Sequence, residues 1–512
     1  MINDKKTYSI GWYARDGYID LFPLIHDQLK SAGYAPLSYY ACNYSLDEEH
    51  LKKKYNIQDI WVLANYISNN VWDISDRALM DLETKYDIRT LTECIWGDKF
   101  GLGLSEKEIR KNLVAHFAFW ESFIKQFKIT ILISESPSIL STCVAWIVCK
   151  KLEVDFLGFL YVPIKGDRVA FTTSWECQYE GLNEIIKNPL LLEDYQDAQL
   201  SADEYLKYIR ERGLGKTDIT IFDMKKKSKR GFLGGLPIKY GDLRNRLELV
   251  KRQKEYYLYK NSLLNVITRR VKVPFNSWYW IKTGVFHKRE KDYNPKQDRY
   301  FLFPLHMPGE WVNYSFMGLR YVDQLALVQE IANCLPIGAL LYVKEHITGF
   351  GIRKKKFYSD IKRISNVRLI NPYEDTINLI KNCQGVLTLG STVGYEAFLL
   401  KKPVFFWGKP WYEFFPGMYK IEGPEDMALL MQRSKLLPTA NDSEMHQCVS
   451  ALFASSFHAY MYPYERFIDP GNIARFSEAI ANYFNLIRVS KSQLFSSLKQ
   501  IVSMPKGTII SK

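Results

Sequence analysis

The first 200 residues alternate short apolar runs with longer segments of helical periodicity. Apolar runs at 7–13 (TYSIGWY), 60–66 (IWVLANY), 129–136 (ITILISES) and 156–164 (FLGFLYVPI) predict strands. Residues 19–34 carry apolar side chains at intervals of three and four, which predicts an amphipathic helix that ends at the glycine of SAGY. This rhythm predicts a parallel sheet covered by helices.

The same rhythm resumes near residue 300. The predicted strands lie at 299–306, 339–346, 367–370, 385–389 and 403–408, and a segment of helical periodicity separates each from the next. No stretch of the chain repeats at a fixed period. The sequence therefore predicts two α/β domains in succession, each similar to a Rossmann fold.

The segment between the two domains differs in character. Residues 201–295 are basic, aromatic and poor in strand pattern, so we expect helical insertions and a linker there. The predicted division is an N-terminal Rossmann-like domain at 1–200, this basic helical insertion, a second Rossmann-like domain at 296–425 and a C-terminal helical segment at 426–512. Two such domains suggest an enzyme with a cleft between them.

Size and composition agree with this division. A chain of 512 residues exceeds what one hydrophobic core usually supports. Its apolar fraction of 47% and charged fraction of 24% are typical of a globular protein. Aromatic residues reach 15%, which suits either stacking on a ligand or filling of the core and so distinguishes no function.

The net charge and the cysteines indicate what kind of partner the protein binds and in which cellular compartment it lies. The net charge of +13 favours an anionic partner such as a phosphorylated substrate, a membrane surface or a nucleic acid. The eight cysteines are scattered and form no zinc-like cluster, which indicates reduced thiols without a structural metal. The N-terminus lacks the apolar core of a signal peptide, and no long uncharged stretch predicts a membrane span. We therefore expect a cytoplasmic protein.

The basic stretch at 225–290 has two interpretations. Its lysines and arginines could form a solvated face, or they could contact the inner face of the cytoplasmic membrane, because cations interleaved with aromatic residues suit an interfacial helix. Nucleic-acid binding is disfavoured, since no recognised binding module accompanies the charge.

The stretch LTLGSTVGYEAFLLKKPVFFWG at 387–408 carries the first candidate site. Ser391 or Thr392 is expected to cap the helix that follows the strand, which would leave nearby amides for an anion. Gly390 would let the backbone approach a ligand. Glu396 does not fit a capping box, so it could accept hydrogen bonds from ribose hydroxyls; the alternative is a surface glutamate that favours the helix dipole.

Two further strand ends of the same domain carry polar side chains. Lys344 and His346 close an apolar strand and lead into a basic, glycine-containing loop, where they could neutralise a phosphate leaving group. His306 and Glu310 follow the first strand and would face the cleft, unless they are incidental neighbours of a Pro-Gly turn. Ligands of open parallel sheets collect at this edge.

The N-terminal half offers acids for catalysis. Glu135 lies at the carboxyl end of a predicted strand, just before a helix expected to begin near Pro137, and is the first choice for the acid or base opposite the nucleotide. Asp16 and Asp98 lie in predicted strand-end loops and are the other candidates. Asp167 and Arg168 are weaker loop candidates. Each of these acids taken singly is more often structural than catalytic.

Several of these stretches together resemble a known family. FPLHMPGE, YVDQ, LLYVKEH and the run from NVRLINPYEDT to PVFFWG resemble the bacterial capsule and surface polysaccharide biosynthesis proteins, over about residues 300–410. That family includes retaining β-Kdo glycosyltransferases of GT-B-like architecture. The stretches IWGDKF, ILISESPS and IKGDRV resemble its N-terminal half more loosely.

The resemblance implies a donor sugar nucleotide in the C-terminal domain and an acceptor glycan across the cleft. It implies that His346 and Ser391 hold the nucleotide phosphate, with Lys344 and Glu396 beside them and Glu135 opposite. It also implies that neither a metal nor a cofactor is needed, which agrees with the lack of a convincing DxD motif. One departure is Ile347, where the family usually has a proline.

The resulting hypothesis is a GT-B-like glycosyltransferase that moves a sugar, such as Kdo from CMP-Kdo, to a surface polysaccharide or glycolipid. UDP- and GDP-linked donors are the alternatives to CMP. Other activities stay open: a sugar-nucleotide epimerase, a polyol-phosphate transferase, or a non-catalytic scaffold of polysaccharide assembly or export.

Overall fold

The computed structural model describes most of the chain. The described residues are 9–34, 36–96, 98, 104–164, 167–214, 272–307, 323–347, 349–461 and 466–488. They divide into two compact units, which are taken in turn. Unit 1 draws on Met1–Arg89, Arg110–Gly213 and Ser443–Lys512, and unit 2 on Thr90–Ile109 and Leu214–Asp442.

Unit 1 is a seven-stranded sheet with helices. Its strands are β1 Ser9–Tyr13, β2 Leu37–Cys42, β3 Ile60–Val62, β4 Ile131–Glu135, β5 Asp155–Val162, β6 Arg168–Thr172 and β13 Phe457–His458. The helices that lie wholly or mostly in this unit are α1 Tyr18–Ser31, α2 Ser45–Tyr55, α3 Leu63–Asn69, α4 Asp76–Tyr86, α6 Glu106–Gln126, α7 Leu140–Lys151, α8 Leu182–Lys187, α9 Gln196–Arg212, α16 Asp442–Ala454 and α17 Pro470–Arg488, with a 3₁₀ helix at Pro189–Asp194.

The strand order of this sheet is β13-β6-β5-β4-β1-β2-β3. The strands from β1 to β5 pair in parallel, whereas β6 and β13 run antiparallel to their neighbours. The chain first moves outward from β1 to β3 and then returns to place β4 on the other side of β1. The topological switch point therefore lies between β1 and β4, where such sheets usually bind ligands.

Burial explains why these segments form strands. Every residue of β1 is buried, as expected for a central parallel strand covered on both faces. The C-terminal helix α17 completes the cover, since its Phe476 meets Phe159 of β5 edge-on with ring centroids 5.3 Å apart. Helix α17 thus contributes to the same core as β1 and β5, although more than 300 residues separate it from them in the sequence.

Unit 2 is a six-stranded sheet with helices. Its strands are β7 Tyr300–Pro304, β8 Leu340–Lys344, β9 Val367–Ile370, β10 Val386–Thr388, β11 Val404–Phe406 and β12 Met418–Lys420. Its helices are α5 Glu93–Trp96, α10 Val273–Lys282, α11 Gln324–Cys334, α12 Lys355–Lys362, α13 Thr376–Asn382, α14 Thr392–Leu399 and α15 Pro424–Gln432.

All six strands of unit 2 are parallel, in the order β12-β11-β10-β7-β8-β9. This is the doubly wound order of a Rossmann fold, and its switch point lies between β7 and β10. Apolar side chains of β7, β8, β9, β10 and β11 form one buried core together with residues of α10, α11, α12 and α15. The carboxyl ends of β7, β8 and β10 are thereby fixed side by side at one edge.

The predicted fold class, α/β with parallel sheets, is confirmed in both units. Some element limits were wrong: Leu63–Asn69 is a helix rather than the end of a strand, and the helix expected near Pro137 begins at Leu140. The glycine stop is confirmed, because Gly33 follows α1 with a φ of 87°. The division into four segments stays a prediction. Within the described ranges, no helix is long and apolar enough to cross a membrane.

Candidate functional site

The predicted polar residues of unit 2 follow three neighbouring parallel strands. His306 comes two residues after β7, His346 two residues after β8, and Ser391 three residues after β10. Since β10, β7 and β8 are adjacent in the sheet, their carboxyl ends meet at one edge, beside the switch point. This cluster is called the unit 2 edge site below.

His306 is held by its backbone while its ring is buried. The side chain of Gln324 accepts a hydrogen bond from the His306 amide (2.8 Å) and donates one to its carbonyl (3.2 Å), and the Arg353 guanidinium also donates to that carbonyl. The side chain is only 2% exposed, and neither ring nitrogen has a hydrogen-bond partner among the described residues. Burial lowers the pKa of His306 to about 3, and repulsion from His346 in its protonated form and from Arg353 adds to this effect.

His346 and Lys344 supply further polar groups to this edge. Part of the His346 side chain is exposed, but protein atoms surround much of its ring. The resulting desolvation, together with the charges of Lys344 and Arg353, lowers the pKa of His346 to about 4. Both histidines are therefore neutral at pH 7 and can donate a hydrogen bond without carrying charge. Lys344 is buried and its Nζ donates to the carbonyl of Pro372 (2.9 Å).

Glu345 and Arg353 form a buried ion pair that the sequence interpretation missed. Glu345 is fully buried and accepts hydrogen bonds from the His346 amide (2.6 Å), the Arg353 Nε (3.1 Å) and the Tyr358 hydroxyl (2.7 Å). Burial raises the pKa of Glu345, and the Arg353 guanidinium opposes that rise. The pair fixes the loop that follows β8, and the strand-end rule that selected Lys344 and His346 could also have selected Glu345.

Ser391 is the N-cap residue of α14, as predicted, and Thr392 is its first helical residue. The Ser391 side chain does not bond the helix amides; it lies 3.0 Å from the Thr388 hydroxyl, and the Tyr412 hydroxyl donates to the Ser391 carbonyl (2.7 Å). Gly390 has a φ of 103°, a conformation that favours glycine, so the turn depends on it. The N-terminus of α14 therefore lies at the unit 2 edge site, where the helix dipole favours an anion.

Glu396 lies inside unit 2 rather than on its surface. Its side chain is 6% exposed, so the alternative of a surface glutamate is wrong. Burial raises the pKa of Glu396 to about 7; the nearby charge of Lys344 opposes the rise, and that of Asp375 adds to it. The carboxyl can therefore change its protonation state near neutral pH.

This raised pKa predicts a pH dependence of stability. Unfolded glutamate ionises near its ordinary pKa of about 4.3, so between that pH and about 7 the folded state holds the extra proton. The contribution of Glu396 to stability is complete below the unfolded pKa; it falls as the pH rises from there and is lost once the pH has passed the folded pKa of about 7, by up to roughly 4 kcal/mol in all. We expect Glu396→Gln to gain stability relative to the wild type as the pH rises.

The measurement is the difference in Tm between variant and wild type at about pH 5 and about pH 8. Other buried acids such as Asp47, whose pKa is also raised to about 7, affect both proteins equally and cancel in this difference. A difference that stays constant with pH would show that Glu396 does not titrate in this range.

The acids of unit 1 gather around a buried arginine that the sequence interpretation did not single out. Arg15 follows β1 and Glu135 ends β4, so the switch point of unit 1 brings them together. The Arg15 guanidinium forms ion pairs with Glu135 and with Asp16 (2.6 Å), and the Ser138 hydroxyl donates to Glu135 (2.9 Å). Arg15 is 6% exposed, whereas Asp16 is exposed. Asp16 and Glu135 are thus neighbours at one sheet edge.

The remaining candidates lie elsewhere. Asp98 is buried in unit 2 and follows the short helix α5, so its expected position after a strand is wrong. Glu310 lies outside the described residues. Arg168 begins β6 and donates to Ser456 Oγ (2.8 Å) and to the Phe453 carbonyl (3.0 Å), so it joins that strand to the last turn of α16 and to the residue two positions after that helix. In the described part of the chain, no group of three or more His, Cys, Asp or Glu could hold a metal ion.

The comparison with protein families agrees with the resemblance. Residues 224–451 match the family described as capsule polysaccharide biosynthesis protein, over somewhat less than half of the chain. The matched segment contains every residue of the unit 2 edge site named above, including the ion pair Glu345–Arg353. The resemblance is therefore confirmed over this segment. A search of curated proteins found no match.

Solved structures align over much of the chain at low identity. The β-Kdo 2,7-transferase KpsC of Thermosulfurimonas dismutans is 11% identical over 76% of this chain and 98% of that chain, with a TM-score of 0.32. The MnaA–UDP structure from S. aureus is 11% identical over 94% and 98%, with a TM-score of 0.28. The UDP-GlcNAc 2-epimerase of Methanocaldococcus jannaschii, in complex with UDP-GlcNAc and UDP, is 13% identical over 87% and 99%, with a TM-score of 0.27. At these scores the fold assignment rests on the strand orders.

Proposed function

We propose that the protein is a GT-B-type glycosyltransferase of capsule or other surface polysaccharide biosynthesis. In this proposal residues 296–425 hold a nucleotide-activated sugar, and residues 1–200 receive the glycan or glycolipid acceptor. The family match over 224–451 supports a role in polysaccharide synthesis. The two doubly wound sheets support it as well, because each has a switch point that suits a ligand.

The observation that carries the donor site is the ring of His306. Buried polar groups are normally hydrogen-bonded, and leaving both nitrogens of a buried imidazole without partners is costly. A phosphate at the unit 2 edge site would accept a hydrogen bond from this ring. His346 and the N-terminus of α14 lie after the neighbouring strands and suit the same anion.

These groups also suit the chemistry of sugar transfer. The bond from the sugar to the donor phosphate breaks, and negative charge grows on the departing phosphate oxygens. Preorganised N–H donors and the nearby charges of Lys344 and Arg353 would stabilise that charge. In this proposal Glu396, which is buried near Lys344, accepts hydrogen bonds from the ribose hydroxyls of the nucleotide. No metal is needed for these roles.

The acceptor side is assigned to the acids of unit 1. Glu135, with Asp16 beside it, is our first choice for the carboxylate that acts as base or nucleophile. Asp98, which lies in unit 2, is a further candidate for this role. For the donor we favour CMP-Kdo, since the family resemblance includes β-Kdo transferases, and we place the protein in the cytoplasm, at the inner face of the membrane.

The decisive experiment is a thermal-shift and calorimetric panel of CMP, CDP, UDP and GDP. Ligand at about a hundred times its Kd should stabilise the folded protein by roughly 2.7 kcal/mol. We expect CMP to give the largest rise in Tm. His346→Ala or His306→Ala should lose most of that rise, because each substitution removes a hydrogen-bond donor to the nucleotide phosphate. The exposed Ile337→Ala, in the same unit, is the matched control and should respond like the wild type.

Each other outcome has a distinct meaning. Selective stabilisation by UDP or GDP would support the glycosyltransferase proposal and exclude Kdo as the donor sugar. If nucleotide binding persists in both histidine variants, the nucleotide binds somewhere other than the unit 2 edge site. The absence of any response to all four nucleotides would contradict the proposal and favour a scaffold of polysaccharide assembly.

A further inference from the structure

Helix α10 (Val273–Lys282) presents an aromatic face to solvent. Phe275, Trp278 and Tyr279 are 44%, 44% and 42% exposed, and their spacing of three and four residues places them on one side of the helix. The rings also touch one another, since Phe275 stacks on Tyr279 with centroids 5.9 Å apart and lies 6.1 Å from Trp278. A cluster of large exposed aromatic side chains often marks an interaction surface.

The opposite side of α10 packs against the core of unit 2. Trp280 is 5% exposed and packs against Phe350 and Tyr358, with ring centroids 6.0 and 5.3 Å away. Ser277 Oγ donates to the Phe350 carbonyl (3.2 Å). A side chain at Gly351 would overlap the Ser277 hydroxyl, so helix and loop approach as closely as the backbone allows. The aromatic face is therefore held outward by a fixed core contact.

Lysines surround this face. Lys272 and Lys282 lie at the two ends of α10, and Lys354 and Lys355 begin the neighbouring helix; all four side chains are exposed. The Nζ of Lys355 lies 5.6 Å from the centre of the Tyr279 ring. A mixture of Trp, Tyr and Phe with flanking lysines matches an anionic lipid surface, where the rings enter the headgroup layer and the ammonium groups pair with phosphates.

We propose that the aromatic face of α10 docks the protein on an anionic bilayer surface. The helix has ten residues, about 15 Å, so it would lie in the interface rather than span the membrane. The proposal does not depend on the identity of the sugar donor. It adds a consequence for the unit 2 edge site, because the loop that supports α10 through Phe350 and Gly351 also carries His346 and Arg353. Docking would orient that loop toward a lipid-anchored acceptor.

The test compares vesicles of phosphatidylcholine alone with vesicles that also contain phosphatidylglycerol. We expect the full-length protein to co-sediment with the anionic vesicles and to release at high salt. The double variant Phe275→Ala/Trp278→Ala should lower the partition coefficient by about tenfold or more. The control Ile337→Ala/Leu436→Ala, which removes two other exposed apolar side chains of unit 2, should bind like the wild type.

A second variant and a second readout keep the test decisive. Lys282→Glu/Lys355→Glu leaves the aromatic rings in place and should also weaken binding to the anionic vesicles, even if the first variant folds poorly. Equal binding to both vesicle types, or unchanged binding of the aromatic variant, would overturn the proposal. A lower Tm for the aromatic variant with unchanged vesicle binding would show that another part of the chain covers this face, and it would overturn the proposal as well.

Discussion

Replacing Glu345 with alanine is expected to destabilise the region around β8 and α12 by about 3–5 kcal/mol. The carboxylate is fully buried, and its three hydrogen bonds hold the His346 amide, Arg353 and Tyr358. Without it the guanidinium of Arg353, whose side chain is 9% exposed, would remain buried without its charge partner. Arginine cannot relieve this by losing its proton, since its pKa lies far above neutral.

The reverse substitution should cost less. Arg353→Ala leaves Glu345 buried, but burial already raises the pKa of that carboxyl, so Glu345 can take up a proton and become neutral. We therefore expect the cost of Arg353→Ala to shrink as the pH falls, whereas the cost of Glu345→Ala does not. This difference in pH dependence between the two substitutions would distinguish an ion pair from two independent packing contacts.

Hydrogen exchange measured by mass spectrometry suits this prediction, because it reports opening of the peptides over Leu340–Lys344 and Lys355–Lys362 rather than of the whole chain. Tyr358→Phe is the matched control: it removes one of the three hydrogen bonds and leaves the charges, so it should cost about 1 kcal/mol. If Glu345→Ala costs no more than Tyr358→Phe, the ion pair does not stabilise this loop.

Five of the six strands of unit 2 could be predicted from the sequence, and the edge strand β12 (Met418–Lys420) was missed. Central parallel strands are buried on both faces and read as short continuous apolar runs, as β7 does. This signal is absent where an edge strand is not fully covered, and none of the three residues of β12 is buried. The two-residue β13, which pairs antiparallel with β6, leaves no recognisable pattern in the sequence.

The candidate site was predictable to the extent that parallel strands bring their carboxyl ends together. That rule selected His306, His346 and Ser391 from chain positions alone. It could not show that Glu396 is buried, because one acid in an apolar helix reads the same whether it faces solvent or the core. Nor could it predict the pairing of Arg15 with Glu135, which depends on β4 returning beside β1 from more than a hundred residues away.

Replacing Glu135 with glutamine is expected to lower the rate of sugar transfer by about 10²–10⁴-fold while nucleotide binding is retained. This expectation rests on the proposed role of Glu135 as base or nucleophile. Glutamine keeps the shape of the side chain and an oxygen that can accept from Arg15 and Ser138, so the turn after β4 should persist. It removes the negative charge on which either catalytic role depends.

The alternative is that Glu135 only neutralises the buried Arg15, and the two roles give different results. The rate of nucleotide release from the donor, the Tm and the calorimetric Kd of the nucleotide should be measured together for Glu135→Gln, Asp16→Asn and Asp98→Asn. A catalytic Glu135 predicts a collapse of the rate with an unchanged Kd. A purely structural Glu135 predicts a lower Tm with a rate near that of the wild type, and the acid whose substitution then abolishes transfer takes its place. Asp16 is the stronger of those two candidates, because it shares the Arg15 guanidinium with Glu135 at the same sheet edge.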